Sequence, residues 1–164
     1  MTGEIPPVGT HTHVQKLLLS WGRQTGHRVW VAKGDRGRYS EGRFLADGCI
    51  ERIPTFMPAR VLSILENVDV VWFPPSGAVP VALFEVEHST AILGGLMRMN
   101  DVVTTLVPPL EGWRFFVVAP ARRISRFNGE LARPTFQASG LARVCRFLSY
   151  DHVVEGMRNN LPLR

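Results

Sequence analysis

Val68-Asp-Val-Val-Trp-Phe73 and Val81-Ala-Leu-Phe-Glu-Val-Glu-His-Ser-Thr90, joined by Pro74-Pro-Ser-Gly-Ala-Val-Pro80, decide how this chain is read. The pattern predicts a β-hairpin running directly into a helix. Three carboxylates lie in it: Asp69 on the first strand, Glu85 and Glu87 on the second. Their neighbours are almost all apolar, and an ionised carboxylate in such a setting is costly unless a metal or a cation pairs with it. Strand residues two apart share a face, so Glu85 and Glu87 do. A hairpin symmetric about Gly77 sets Asp69 opposite Glu85, with Cβ atoms about 4.5–5.5 Å apart. Like charges there repel and raise one pKa unless a divalent cation fills the gap. Oxygen ligands suit magnesium or manganese. Otherwise both faces are apolar, with Val68, Val70, Trp72, Phe84 and Val86 on one and Val71, Phe73, Val81 and Leu83 on the other. That predicts a central sheet covered on both sides. The competing reading makes Glu85 and Glu87 an outward, solvated strand face and Asp69 a turn or edge residue. The apolar character of Leu83 and Val81 on that face speaks against it.

The 164 residues fit one domain, residues 1–164, with a loose arm at 1–11. No apolar run reaches the ~20 residues of a membrane span, and the N-terminus lacks the pattern of a secretion signal, so a cytoplasmic protein is expected. Cys49 and Cys145 have no metal-ligand spacing and read as isolated thiols. Net charge is +5, from a basic set of 17 arginines and two lysines, Lys16 and Lys33. A polyanion such as nucleic acid suits that balance, and the arginine fork suits phosphate. A GC-rich genome would leave the same arginine bias.

Thr12-x-x-Gln15 resembles a capping box, and Val14, Leu17, Leu18 and Trp21 follow at helical spacing, predicting a helix over 13–25 closed by Gly26. His11 and His13, two apart near its start, read as neutral surface histidines, with a metal pair as the alternative. Arg28–Ala32 is a short strand that should lie beside the hairpin. The Gly-rich basic loop that follows contains Lys33, Asp35, Arg36 and Arg38, and either contacts a nucleic-acid backbone or is a solvated turn. Residues 44–57 are mixed, and 58–67 predict a short helix. After Glu87, Ser89 is a natural cap for a helix reaching about Val103. Ile92, Leu96, Met99 and Val103 form its apolar stripe. Gly94 and Gly95 within it suggest close approach to the sheet. Arg98 and Asp101 lie on another face. His88 is either a supporting group beside the carboxylates or a hydrogen-bonded structural histidine. A loop at 105–112 leads to a strand over Trp113–Ala119. Arg122, Arg123 and Arg126 then cluster on a short helix, as a phosphate-facing patch or a solvated face. Residues 133–136 are a break, Arg143–Ser149 a final strand and Asp151–Asn159 a closing helix.

The order helix, strand, long connection, strand, strand, helix, strand, with acids on the second and third strands, resembles the PD-(D/E)XK nuclease superfamily. Asp69 matches its first acid and Glu85-Val86-Glu87 its second element, with Glu87 standing where the family has Lys and Val68 where it has Pro. The stretches Phe84–Thr90 and Gly95–Asp101 are similar to a group of bacterial proteins of this fold. The resemblance covers about residues 12–120. It implies an α/β (α+β) restriction-endonuclease-like fold, a mixed sheet flanked by helices with an α-β-β-β-α-β core. It further implies a divalent metal, Mg2+ or Mn2+, held by Asp69, Glu85 and the Val86 carbonyl. Glu87 would orient or deprotonate a water, or bind a second metal. His88, Arg98, Asp101, Lys33, Asp35 and Arg36 are supporting candidates, and Arg36, Arg38, Arg122, Arg123 and Arg126 candidates for the nucleic-acid backbone. The implied activity is phosphodiester hydrolysis, with DNA as first substrate and a homodimer, a further target-recognition domain or a subunit as possible partners. An inactive module of the same fold, binding nucleic acid or a protein, is the alternative, supported by the missing Lys. A hydrolase acting on a small phosphorylated substrate and a purely structural partner domain are weaker readings.

Overall fold

The computed structural model describes residues 10–54, 57–88, 91–106 and 112–164. A helix, α1 (His11–Gln24), leads into strand β1 (Arg28–Val31). A 3-10 turn at Lys33–Asp35 and a two-strand ribbon, β2 (Tyr39–Ser40) and β3 (Arg43–Phe44), follow. Helix α2 (Ala59–Leu65) precedes the hairpin β4 (Val70–Phe73) and β5 (Ala82–Val86). Then come α3 (Ile92–Thr105), β6 (Arg114–Ala119), a 3-10 turn at Ala121–Arg123 and α4 (Ile124–Leu131). The chain continues through α5 (Pro134–Ser139), α6 (Leu141–Val144), β7 (Cys145–Ser149) and α7 (Tyr150–Asn159).

The main sheet runs β1-β4-β5-β6-β7. Pairing is antiparallel from β1 to β4 and from β4 to β5, and parallel from β5 to β6 and from β6 to β7. This mixed five-stranded sheet flanked by helices is the expected α+β, restriction-endonuclease-like arrangement. Val70 pairs with Phe84 and Val71 with Leu83, the register of a hairpin symmetric about Gly77. Gly77 has φ +105°, a conformation that glycine alone adopts readily. β1 lies beside the hairpin, as its neighbourhood in sequence suggests.

Alternation splits the strands between two cores. Val71, Phe73 and Leu83 pack with Ile92, Leu96 and Met99 of α3. Val70, Trp72, Phe84 and Val86 pack with Val14, Leu18 and Trp21 of α1 and Val153 of α7. Alternation fails at the hairpin's ends. Val68 joins the α3 core and Val81 the α1 core, the reverse of the sequence reading, because both lie outside the paired strands. The second core is rich in rings. Trp21 meets Trp72 edge-on at 5.3 Å, and Phe84 stacks on Phe116 at 5.3 Å. Such pairs contribute about 0.5–1.5 kcal/mol beyond their burial. The indole N–H groups are satisfied, Trp72 by the Leu18 carbonyl at 3.1 Å and Trp21 by the Leu161 carbonyl at 2.8 Å.

Several local expectations need correction. Thr10, not Thr12, caps α1: its side chain accepts from the His13 N–H at 3.3 Å, so the helix begins at His11, inside the expected loose arm. The rest of that arm, Ser89 and most of the 105–112 loop lie outside the described residues. The helix over 92–105 has Ala91 at its cap position, with no side-chain bond. The break at Arg133 opens α5, because Pro134 occupies the first helical turn, where no N–H is needed. Residues 141–144 are helical, so the last strand starts at Cys145. Both thiols are free, and burial pushes the Cys145 thiol up to about 12. Among the described residues no helix is long and apolar enough to cross a membrane.

Candidate functional site

The hairpin register, continued one residue past Val70–Phe84, sets Asp69 beside Glu85. Asp69 ends the ladder itself: its Oδ2 accepts the Val86 N–H at 2.7 Å. His11 Nε2 stands 3.3 Å from the same oxygen. The Asp69 backbone carbonyl accepts the Ala32 N–H at 3.2 Å and the Gln15 side-chain amide at 3.3 Å. That amide also donates to Asp35 Oδ2 at 2.9 Å. The start of α1, the end of β1 and both hairpin strands are thus bonded to one aspartate.

Glu85 is 1 % exposed and its two oxygens each lie 2.8 Å from Arg98 Nη1. Burial, reinforced by the neighbouring Asp69 charge, raises the Glu85 pKa well above the usual carboxylate range, and the Arg98 guanidinium opposes the shift. Glu87 is also buried, at the end of β5. Its N–H donates to the Val118 carbonyl at 2.8 Å and its carbonyl accepts from Arg123 Nη1 at 2.9 Å. Helix α3 can lie this close because position 95 has no side chain: a Cβ on Gly95 would come 2.9 Å from both Glu85 Cβ and Glu87 Oε1. A Cβ on Gly94 would meet nothing, so only one of the two glycines serves the approach.

The other sequence candidates divide. Arg98 reaches Glu85 and Asp35 joins the Asp69 network through Gln15. Arg38 pairs with Asp35 at 2.8 Å and donates to Thr12 at 3.4 Å, bordering the same network. His88 faces Tyr150 rather than the acids, with its Nδ1 3.3 Å from the Tyr150 hydroxyl. Lys33 points away, 71 % exposed, with Glu66 at 4.0 Å. Arg36 lies over the Trp30 ring at 4.7 Å and donates to the Ile50 carbonyl. Asp101 is exposed, on a surface hollow with Ser63 and Met97. Arg126 pairs with Glu130 at 3.1 Å, and Arg122 is exposed. His11 and Gln15 are the site residues that sequence reading missed. His11 opens α1 and Gln15 lies on its buried side beside Val14 and Leu18, where Gln15 is fully buried.

Asp69, Glu85 and the adjoining backbone offer hard oxygen donors, the chemistry magnesium or manganese requires. In the arrangement present their oxygens face Arg98, His11 and the Val86 N–H. Among the described residues, no group of three or more His, Cys, Asp or Glu side chains is spaced to hold a metal ion.

The model of the type II restriction enzyme NmeDI C-terminal domain family matches residues 2–160. The chain is 31% identical over 136 residues to the type II restriction enzyme NmeDI of Neisseria meningitidis serogroup C. That alignment covers 77% of this chain and 37% of that protein, so the chain spans well under half of its relative's length. No solved structure matches the chain.

Proposed function

Because the chain belongs to the family of the type II restriction enzyme NmeDI C-terminal domain, we propose that it is the nuclease domain of a restriction endonuclease, a PD-(D/E)XK variant that hydrolyses phosphodiester bonds in DNA. The observation that carries this reading is that Asp69 lies beside Glu85 at the end of two interior strands of a buried sheet, with Glu87 two residues on. Burial first, and then the neighbouring Asp69 charge, raise the Glu85 pKa, a cost that a divalent cation between the two acids would offset.

Asp69, Glu85 and the Val86 carbonyl are the groups that would hold Mg2+ or Mn2+. Bound there, the ion would lower the pKa of a water and neutralise charge on the scissile phosphate. Glu87 stands in the family's Lys position and would orient that water or accept its proton. Gln15 and His11 fix Asp69, and the Gly95 gap keeps α3 against the acids. Arg122 and Arg38 are exposed cations for the backbone of the nucleic acid. A further domain or subunit would supply target recognition, since the relative is much longer than this chain.

The Arg98–Glu85 pair favours a second reading, an inactive module of the same fold that binds nucleic acid or a protein partner. Calorimetry with Mg2+ and Mn2+ on wild type and Glu85→Gln, beside DNA-cleavage assays, separates the two. The nuclease reading expects metal binding and cleavage to vanish together in Glu85→Gln. It also expects Glu87→Gln to bind metal but cleave about 100- to 10,000-fold more slowly. Wild-type protein that binds neither ion would leave the inactive module standing.

A further inference from the structure

Strands β5, β6 and β7 run parallel, so their carboxyl ends open on one side of the molecule. The residues that leave those ends, His88 after β5, Pro120 and Ala121 after β6, and Tyr150 after β7, line a single pocket of about 400 Å3. In open sheets with parallel strands this is where ligands bind, and the volume falls within the about 300–1,000 Å3 typical of ligand sites. Val14 and Leu17 of α1 and Val154 of α7 supply apolar walls. The Tyr150 and His88 rings lie parallel, 4° apart in plane, with centroids 5.9 Å apart. At the rim are one exposed cation, Arg122, and one exposed carboxylate, Asp151. His13 also lines the pocket, with its Nδ1 3.7 Å from Glu41 Oε1.

The pocket adjoins the acids. His88 follows Glu87 directly, and Arg123, beside the pocket residue Arg122, donates to the Glu87 carbonyl. Burial lifts the Tyr150 hydroxyl to about 12, and the charges of Arg123, Glu87, Arg122 and Asp69 all act on it. We propose that this pocket takes one unstacked nucleotide of the nucleic acid being cleaved, its base against the Tyr150–His88 rings and the apolar walls, its phosphate on Arg122. Flat aromatic faces and aliphatic walls suit a base, which every nucleotide presents. Asp151 is an acceptor for the amino groups of a base edge, and the cation at the rim complements a phosphate. This assignment rests on the nuclease reading and names where its substrate is held beyond the scissile bond.

The test is fluorescence titration of the protein, in EDTA so that nothing is cut, with short single-stranded DNA carrying one fluorescent adenine analogue, 2-aminopurine. Wild type should change the emission of the analogue as it leaves its neighbouring bases for the pocket, and dAMP should displace the DNA where inorganic phosphate does not. Tyr150→Ala should bind about tenfold more weakly and Tyr150→Phe nearly as wild type. Val154→Phe, which fills the pocket without removing a ring, should weaken binding similarly at an unchanged melting temperature. It therefore decides the matter should Tyr150→Ala fail to fold. Arg122→Gln should weaken binding more than Arg158→Gln, which removes the same charge from an exposed position of α7. Unchanged emission of the analogue on bound DNA, displacement by phosphate as effective as by dAMP, or Val154→Phe binding as wild type would overturn the proposal. A change in emission with neither metal binding nor cleavage leaves the pocket standing and removes the nuclease reading. Cleavage without any effect of Val154→Phe does the reverse.

Discussion

Asp69 shows how much one side chain can organise. Its carboxylate takes the Val86 N–H and faces His11, while its carbonyl takes Ala32 and Gln15. From sequence, Asp69 and Glu85 are legible as neighbours, because a hairpin centred on one glycine fixes their register. Their cations are not. Arg98 lies on α3 and His11 on α1, and nothing in strand periodicity says which helix residue will turn toward an acid. Lys33 illustrates the converse: it directly follows buried Ala32 just past β1, yet its exposed side chain lies near Glu66. A different histidine carries a pH dependence. Burial lowers the His27 pKa below its ordinary 6.5, and its ring stacks on Trp72 at 5.0 Å. The folded protein therefore favours neutral His27. Its contribution is complete above pH 6.5 and is lost as the pH falls through the lower folded value. Thermal melts should show wild type losing stability relative to His27→Phe on acidification below pH 6.5, and no change in the difference between pH 7 and 8.

At the scale of elements, α3 offers a paired experiment. Gly95→Ala forces a methyl group to within 2.9 Å of Glu85 and Glu87, and should destabilise the protein by about 1–3 kcal/mol. Gly94→Ala meets open space in a helical backbone and should stabilise it by about 0.4–1 kcal/mol. Urea unfolding of the two variants reads the opposite signs directly, and equal signs would refute the close-packing account. The sequence shows two glycines in a helix but not which one faces the sheet, since the apolar stripe leaves the helix's rotation uncertain by about a residue. The longer elements were legible because they repeat their period several times. The ribbon β2–β3 has two-residue strands, too short to show any alternation, so its sequence shows only a Gly-rich loop. The choice between Thr10 and Thr12 as the cap was equally hidden, because both are good capping residues.

Over the whole molecule, the sheet divides two cores and carries its acids at one end, where the direction of pairing changes at β5. Antiparallel β4 brings Asp69 to that end, and parallel β6 and β7 bring Pro120 and Tyr150. The resemblance covering residues 12–120 leaves out β7 and α7, and with them Tyr150 and Val154 of the pocket. The sequence separations also set an order of assembly. Asp69 and Glu85 meet within their own hairpin, and the Arg98–Glu85 bond spans 13 residues, whereas Gln15 to Asp69 spans 54 and His88 to Tyr150 spans 62. Short loops close first, so the acids approach each other while most of their surroundings are still unformed. Of the two basic side chains that face the acids, Arg98 is nearer to them in sequence than His11, so its ion pair is expected to form earlier in folding. Stopped-flow refolding should find Arg98→Gln slower to fold, while Gln15→Leu mainly speeds unfolding.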